Sequence, residues 1–475
     1  MAEPIRIANC SGFLGDRRTA AYDMVTGGPI DVLTGDYLAE LTLAILAKQR
    51  LKDPAAGYAA QFLDHMDGVL EICLDEGIKI VVNAGGLNPA GLAAAVERMA
   101  TGLGRKARVA AVSGDDLMPH MDQLADRLAH NVTGKRFAEL GDPLTANAYL
   151  GGWGIAAALD AGADIVVTGR VSDASLVVGP AAWHHGWVPA DYDQIAGAVA
   201  AGHVIECGAQ ATGGNYSFFA EVEGIPGLPI AEVAADGSAV VTKHPGTGGL
   251  VSVGTVTAQL LYEIGAPAYP NPDVVALLDT LSLEEVGEDR VRIGGTKGVA
   301  PPPTTKVAAT AHGGFRNSMT MIVAGMEVEA KADMAVAALW ASLGGSEQFD
   351  EVDVQLLRTD QVDPPNHEAS FAHLKVTVTD RDADKVGRRF SNAVVELILS
   401  SYPGFTLTSP PTNGRSVLEY WPSTVPQPVS VVTVGGRSFE VPPAPGGDAV
   451  VEYRDPPLDE AEVHGESIDV PIGRV

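Results

Sequence analysis

Cysteine is scarce. Three occur in 475 residues, Cys10, Cys73 and Cys207, a set too small and too odd in number for a disulfide framework. They are read as free thiols of a reducing compartment. The opening MAEPIRIANC has no basic segment leading into an apolar one, and no run of about 18 uncharged apolar residues occurs elsewhere. Neither a secretory leader nor a membrane span is expected, and the reading is cytoplasmic. Basic residues are also few: 32 Lys and Arg face 60 Asp and Glu, a net charge of −28. That balance repels phosphate backbones and leaves no basic stripe, which argues against nucleic acid as a partner. An anionic small ligand stays compatible, because helix N-termini and a few Arg or Lys side chains can make a local positive site. No fixed-period repeat or low-complexity tract is present, which sets aside solenoids and linker-rich scaffolds.

Apolar material is ample. Hydrophobic residues make up 46% and charged ones 19%, a globular balance rather than a disordered one. The length exceeds what one hydrophobic core supports. Two units are therefore expected, one over residues 1–215 and one over 216–475, in a homo-oligomer with a symmetric dimer as the default and a tetramer as the alternative.

The first unit alternates β-branched runs, glycine-containing polar corners and Ala/Leu-rich helical stretches. Five strand-to-corner junctions stand out: IRIANCSGFLGDR, IDVLTGDYLAE, IKIVVNAGGLNP, ARVAAVSGDD and ADIVVTGRVSD. This pattern predicts an α/β fold with a doubly wound, mostly parallel, Rossmann-like sheet whose corners share one rim. Beyond residue 216 the texture changes. AADGSAVVTKHPGTGG carries a turn signal, GVAPPPTTK cannot be regular helix, and NSMTMIVAGME, KADMAVAALWASLGG, FDEVDVQLLRTD, AHLKVTVTDR and DADKVGRRFSNAVVELILSSYPG read as strand, helix, strand, strand and long helix. That is an α+β domain, with a ferredoxin-like arrangement as one candidate. VPQPVSVVTVGGRSFEVPP reads as a strand pair, and the acidic DPPLDEAEV as an extended tail.

Fingerprints of several chemistries are missing. CSGFLGDRR has the spacing G-x-x-G rather than G-x-G-x-x-G, and GGTKGVAPPPTTK does not match a P-loop. No redox cofactor is expected. Neither H-E-x-x-H nor C-x-x-C occurs, which argues against zinc; the adjacent Asp115-Asp116 leaves Mg²⁺ on oxygen ligands as the one metal to consider.

What the rim does carry is polar and dense. Asp16 and Arg17 fall at the first corner, Asp36, Tyr37 and Glu40 at the second, Asn83 and Asn88 at the third, Asp115 and Asp116 at the fourth, and Arg170, Ser172 and Asp173 at the fifth. Asp, Ser and Asn are also ordinary caps and turn formers. Capping does not call for Tyr37, Glu40 and Arg170. In AGHVIECGAQATGGNY, helical spacing puts His203, Glu206, Cys207 and Gln210 on one face. A thiol beside an imidazole can act as a nucleophile, and a Glu-His pair can move protons; a buried structural cysteine with a half-exposed His and Glu fits the same letters. TKHPGTGG, PPPTTK and GGFR place Lys243, His244, Lys306 and Arg316 beside glycine or proline, where they could handle protons or neutralise a carboxylate or phosphate in a cleft between the two units.

GFLGDR, DYLAELT, NAGGLNP, TGRVSDASL, ECGAQATGGN, TKHPGTGGLV and GGFR together resemble the acyclic terpene utilisation (AtuA) family over most of the chain. The resemblance implies a part in bacterial breakdown of acyclic isoprenoids such as citronellol and geraniol, beside enzymes that handle branched acyl-CoA thioesters. Some relatives carry or neighbour a small extra domain, so a small companion protein is a further expectation. The family supplies no established catalytic assignment. The expected function is a lyase, either a hydratase or a carbon–carbon lyase, acting on a branched acyl-CoA without a redox cofactor. Glu206 or His244 would be the general base, Cys207 a nucleophile or polariser, and Asp36 and Tyr37 further catalytic groups. Arg17, Arg170 and Arg316 would anchor the substrate, with Asp16, Glu40, Asn83, Asn88, Asp173, Asn215 and Lys243 as further binding residues. The alternative is a non-catalytic subunit that binds an acyl-CoA or a partner enzyme in a pathway complex.

Overall fold

The computed structural model describes residues 3–124, 126–139 and 143–447. Its first strands are short apolar runs: β1 (Ile5–Asn9), β2 (Val32–Gly35), β3 (Lys79–Val82), β4 (Val109–Ser113), β5 (Pro143–Ala148) and β6 (Ile165–Thr168), followed by β7 (Pro229–Val233) and β8 (Ala239–Lys243). Strands β1, β2, β3, β6 and β4 pair in that order, all parallel. Each carries apolar side chains on both faces, because helices cover both. Ile5, Ile7, Val32, Val81, Val112 and Val166 point into one core, while Ala8, Leu33, Ile80, Val82, Ala111 and Val167 point into the other. All five expected strand-to-corner junctions are present, and their carboxyl ends lie along one edge.

The sheet is larger and more mixed than expected. Strands β7 and β8 add to β1, followed outward by Arg290–Gly294 and Ser282–Gly287; the hairpin Ser430–Val434 and Arg437–Val441 adds to β4. The result has eleven strands, with four parallel pairings at the centre and antiparallel pairings at both flanks. A dinucleotide-binding sheet starts at its centre and winds outward both ways; here β1 starts at the border of the parallel region. Chain from beyond residue 216 thus completes the sheet that the first 170 residues begin. The C-terminal strand pair is this last hairpin, and the segment DPPLDEAEV lies outside the described residues.

The α+β part is built on one long strand, Thr304–Ala324. Its second half pairs with Phe371–Asp380 and Thr406–Leu407, and Glu351–Leu357 pairs with the far side of Phe371–Asp380. With helix Val328–Leu343 after the first strand and a helical segment after the third, this is β-α-β-β-α-β in spatial order fourth, first, third, second, the ferredoxin-like arrangement. The expected long helix over DADKVGRRFSNAVVELILSSYPG is broken. Gly387 has a non-helical ψ of −130°, the Asn317 side chain donates to the Val386 carbonyl at 2.9 Å, and the regular helix runs only over Phe390–Val395. The first half of the long strand, ahead of a bulge at Gly313–Gly314, does something else: it pairs with β5 on one side and Arg415–Pro426 on the other. That half crosses above the carboxyl edge of the parallel strands.

Helix Tyr192–Ile205 opens on the partly exposed Asp193 and Gln194, but from Ile195 onward it is apolar apart from His203 and buried throughout. It ends where Asn9, the last residue of β1, donates both amide hydrogens to the carbonyls of Ile205 and Glu206, at 2.6 and 2.8 Å. Asn9 is itself buried. These carbonyls have no partner further along the helix. Replacing the amide strands two buried acceptors, so Asn9→Ala is expected to cost about 1–3 kcal/mol, read as a lowered midpoint in urea unfolding; an unchanged midpoint would show that the helix end is held by other contacts.

Candidate functional site

A cleft of about 670 Å³ opens over the carboxyl ends of β1, β2 and β6. Gly12, Asp36 and Glu40 come from the first two corners, and Arg170, Ser172 and Asp173 from the fifth. His203, Glu206 and Cys207 come from the end of helix Tyr192–Ile205, and Thr304, Thr305 and Lys306 from the long strand. Tyr149, Tyr262, Glu263, Tyr269 and Asn271 complete the walls. The opposite wall is fixed by main-chain and hydroxyl bonds: Tyr149 N donates to the Lys306 carbonyl at 2.9 Å, and Thr305 Oγ1 to the Tyr149 carbonyl at 2.7 Å.

Packing sets where the helix end sits. A Cβ on Gly12 would stand 2.7 Å from the Cys207 carbonyl carbon, so only glycine lets the first corner approach this closely. Beyond Ile205 the chain leaves helical geometry, and Gly208 takes a left-handed φ of +58°. His203, Glu206 and Cys207 therefore line the cleft as their spacing predicts. Gln210 does not, because it lies past the helix end in a tight turn.

Charge in the cleft is arranged in two zones. Glu40 accepts from Tyr149 Oη at 2.7 Å and from Lys306 Nζ at 3.2 Å. Burial works against its charge, but Lys306, the tyrosine hydroxyl and Arg170 outweigh it and bring its pKa down to about 2. Arg170, 3% exposed, pairs with Asp173 and lies 4.0 Å above the Tyr149 ring. In the second zone, acids crowd together. Asp36 and Glu206 are both buried, and burial pushes both carboxyls well above their usual range; Asp173 adds repulsion to each, and Arg170 offsets only part of it. Asp36 accepts from Asn83 Nδ2 at 2.6 Å. Glu206 Oε1 lies 3.2 Å from His203 Nδ1, without hydrogen-bond alignment, and Oε2 has no partner. His203 is 2% exposed, and burial holds its pKa down. The Cys207 thiol is pushed up by burial and by Glu206 and Asp36, so it stays protonated. A reactive thiolate needs cationic neighbours; burial and the acids around Cys207 work against the nucleophile role expected for it.

Nine of the residues singled out in the sequence meet here: Asp36, Glu40, Arg170, Ser172, Asp173, His203, Glu206, Cys207 and Lys306. The others serve elsewhere. Tyr37 turns into the core and its hydroxyl meets His65 Nδ1 at 2.7 Å, while Asn83 Oδ1 accepts from Tyr37 N and so backs Asp36 rather than facing the cleft. Asp16 staples its own loop by accepting from Gly12 N and Arg17 N. Asn88 is an N-cap, accepting from Gly91 N at 2.9 Å. Asn215 holds a left-handed turn, and Lys243 pairs with Asp289 at 2.7 Å. Arg316 lies on the ferredoxin-like sheet, donating to Thr379. His244 follows β8, two strands out from β1 and so about 10 Å along the edge; its Nε2 meets the Met24 carbonyl at 2.8 Å, and with Arg17 it lines a separate concavity. It cannot be the general base of this cleft. Asp115 and Asp116 diverge: the first accepts from Asn147 and Arg170 N, the second caps Met118. Among the described residues, no three His, Cys, Asp or Glu side chains converge as a metal cage, and no helix is long and apolar enough to cross a membrane.

Tyr149, Tyr262, Glu263, Tyr269 and Asn271 were not singled out by the sequence. For three of them the one local signal is position, since Tyr149 directly follows β5 and AYPNPD comprises the strand Ala268–Pro270 and the start of the turn to its partner Val275–Leu277.

A family model, described as acyclic terpene utilisation family protein AtuA, matches residues 5–434. The chain belongs to that family, which is named for acyclic terpene utilisation. The match spans ten of the eleven strands of the large sheet, all but Arg437–Val441, together with every residue of the cleft and the ferredoxin-like unit. No curated protein matches the sequence.

The raised carboxyls give a signed pH dependence. A buried acid that holds its proton more tightly when folded leaves the folded chain with more bound protons than the unfolded one. Stability is then present below the ordinary carboxylate pKa of about 4 and is lost as pH rises through the folded value. Asp115, raised by burial to about 6, acts in the same direction over pH 4 to 6. Glu206→Gln keeps the shape without the charge; it is expected to raise the melting temperature more at pH 8 than at pH 5. Equal shifts at the two pH values would mean that Glu206 is ionised at little cost.

Proposed function

We propose that this protein is an enzyme of acyclic isoprenoid breakdown. It adds or removes water, or cleaves a carbon–carbon bond, on a branched acyl-CoA thioester without a redox cofactor. The observation that carries this reading is the pair of buried carboxyls, Asp36 and Glu206, whose burial favours their protonated forms, in a cleft that also presents Arg170 and Lys306. A carboxyl that keeps its proton near neutral pH can donate it to a departing hydroxyl, and its conjugate base can take it back. Glu206, with one oxygen unpartnered, is the group that moves the proton. Asp36 sits beside it as the second acid, fixed by Asn83. Lys306 and Arg170 stabilise negative charge that develops on the thioester oxygen or on a substrate carboxylate. A volume of about 670 Å³ suits the acyl end of such a substrate; Arg17 and Arg316, expected as anchors, lie outside it.

The test is mass spectrometry of branched enoyl-CoA and 3-hydroxyacyl-CoA thioesters incubated with the purified protein, with and without Mg²⁺. A gain or loss of water, or release of a short acid, is expected. Glu206→Gln should lower kcat roughly 100-fold or more with KM little changed, while His244→Ala leaves turnover intact. No change in any thioester with folded protein would favour the acyl-CoA-binding subunit instead.

A further inference from the structure

Ser172 lines the cleft just ahead of helix Ser175–His185. Its Oγ stands 2.7 Å from Ser175 Oγ, and Ser175 Oγ donates to Asp273 Oδ2 at 3.2 Å. Asp273 is 1% exposed, also accepts from Gly152 N at 2.8 Å, and its other oxygen has no partner. Gly151 has no room for a side chain, because a Cβ there would collide with Asp273 Oδ1.

The direction of this chain is fixed by the count of hydrogens. An ionised carboxylate only accepts, and each serine has one hydroxyl hydrogen. Ser175 gives its hydrogen to Asp273, so Ser172 must give its own to Ser175. The lone pairs of Ser172 are then left free for the cleft. Two donors that line the same cleft, Arg170 Nε and Asn271 on its amide nitrogen, are buried and lack partners. Helix starts alone would explain the Ser172–Ser175 contact and the Gly152 bond. They do not explain an unpartnered carboxylate oxygen on Asp273, nor two unpartnered donors in the walls of the cleft that Ser172 lines.

We propose that Ser172 is a nucleophile toward acyl carbonyl carbon, with Asp273 as its base through Ser175 and with Arg170 and Asn271 as donors to the oxyanion. The Oγ–carbon bond forms as the Ser172 proton passes to Ser175 and the Ser175 proton to Asp273. The carbon–sulfur or carbon–oxygen bond of the substrate then breaks. The departing atom takes a proton from Ser175, which Asp273 replaces, and water afterwards releases the acid from Ser172. Burial raises the Asp273 carboxyl to about 6, which leaves it ionised at neutral pH and a stronger base than an exposed carboxylate. This is acyl transfer, an activity beyond the proton chemistry assigned to Glu206, and it does not depend on that assignment.

Diisopropyl fluorophosphate reports an activated serine without any substrate being known. Wild-type protein is expected to gain one diisopropylphosphoryl group, mapped by peptide mass spectrometry to Ser172. The label should be absent in Ser172→Ala, and its rate should fall roughly 100-fold in Ser175→Ala and in Asp273→Asn. Circular dichroism checks each fold; if Asp273→Asn does not fold, Ser175→Ala decides. Absence of label on Ser172 in folded wild-type protein would overturn the proposal. Labelling at the wild-type rate in the folded relay variants would overturn it too. Failure of Glu206→Gln to affect thioester turnover would count against the hydration reading and leave this label unchanged.

Discussion

The two hydrogen bonds from Asn9 to the end of helix Tyr192–Ile205 tie the cleft to the sheet. They lock a helix buried from Ile195 onward to the carboxyl end of β1, and the close approach of Gly12 to Cys207 fixes the same junction from the other side. Once the helix end is set, Glu206 has to enter a space already occupied by Asp36 and Asp173. Its charge becomes costly there, and its proton is retained. The chemistry proposed for the cleft thus begins as a packing constraint: an acid is delivered to a crowded place by a helix that cannot move away.

The two zones of the cleft answer different needs. Around Glu40, two tyrosine hydroxyls and Lys306 supply hydrogen bonds and compensating charge, so the carboxylate stays ionised. Around Glu206, burial and like charge prevail. A ligand lying between the zones meets fixed positive and negative groups on one side and neutral, proton-bearing ones on the other. Such a difference in environment lets two carboxyls take separate roles at one pH.

Much of this was legible in the letters. The five β-branched runs and their polar corners predict the parallel strands, because strands buried on both faces must be apolar throughout. DYLAE, TGRVSD and HVIEC predict cleft residues because they combine polar groups that capping alone does not require. The rest depends on tertiary placement. Nothing local separates Asn88, which caps a helix, from Asp36, which faces the cleft. Tyr149 gains its position only when β5 pairs with a strand over 150 residues away. His244 and Arg316 lie in motifs as glycine-rich as those of the cleft, but the order of strands carries them to other surfaces. The break at Gly387 likewise depends on Asn317.

The long strand Thr304–Ala324 has a consequence for how the chain reaches its native state. Lys306 meets Glu40 across 266 positions of sequence, and Thr305 meets Tyr149 across 156. Contacts so distant in sequence form slowly, because loop-closure entropy is lost before any compensating contact exists. During synthesis the parallel strands emerge well before the strand that roofs their carboxyl edge. The nascent N-terminal half therefore passes through a stage with its acid-rich edge uncovered. Contacts from the long strand thus cost the chain heavily in loop closure, and the roof of the cleft is the part of the site that the N-terminal half cannot build by itself.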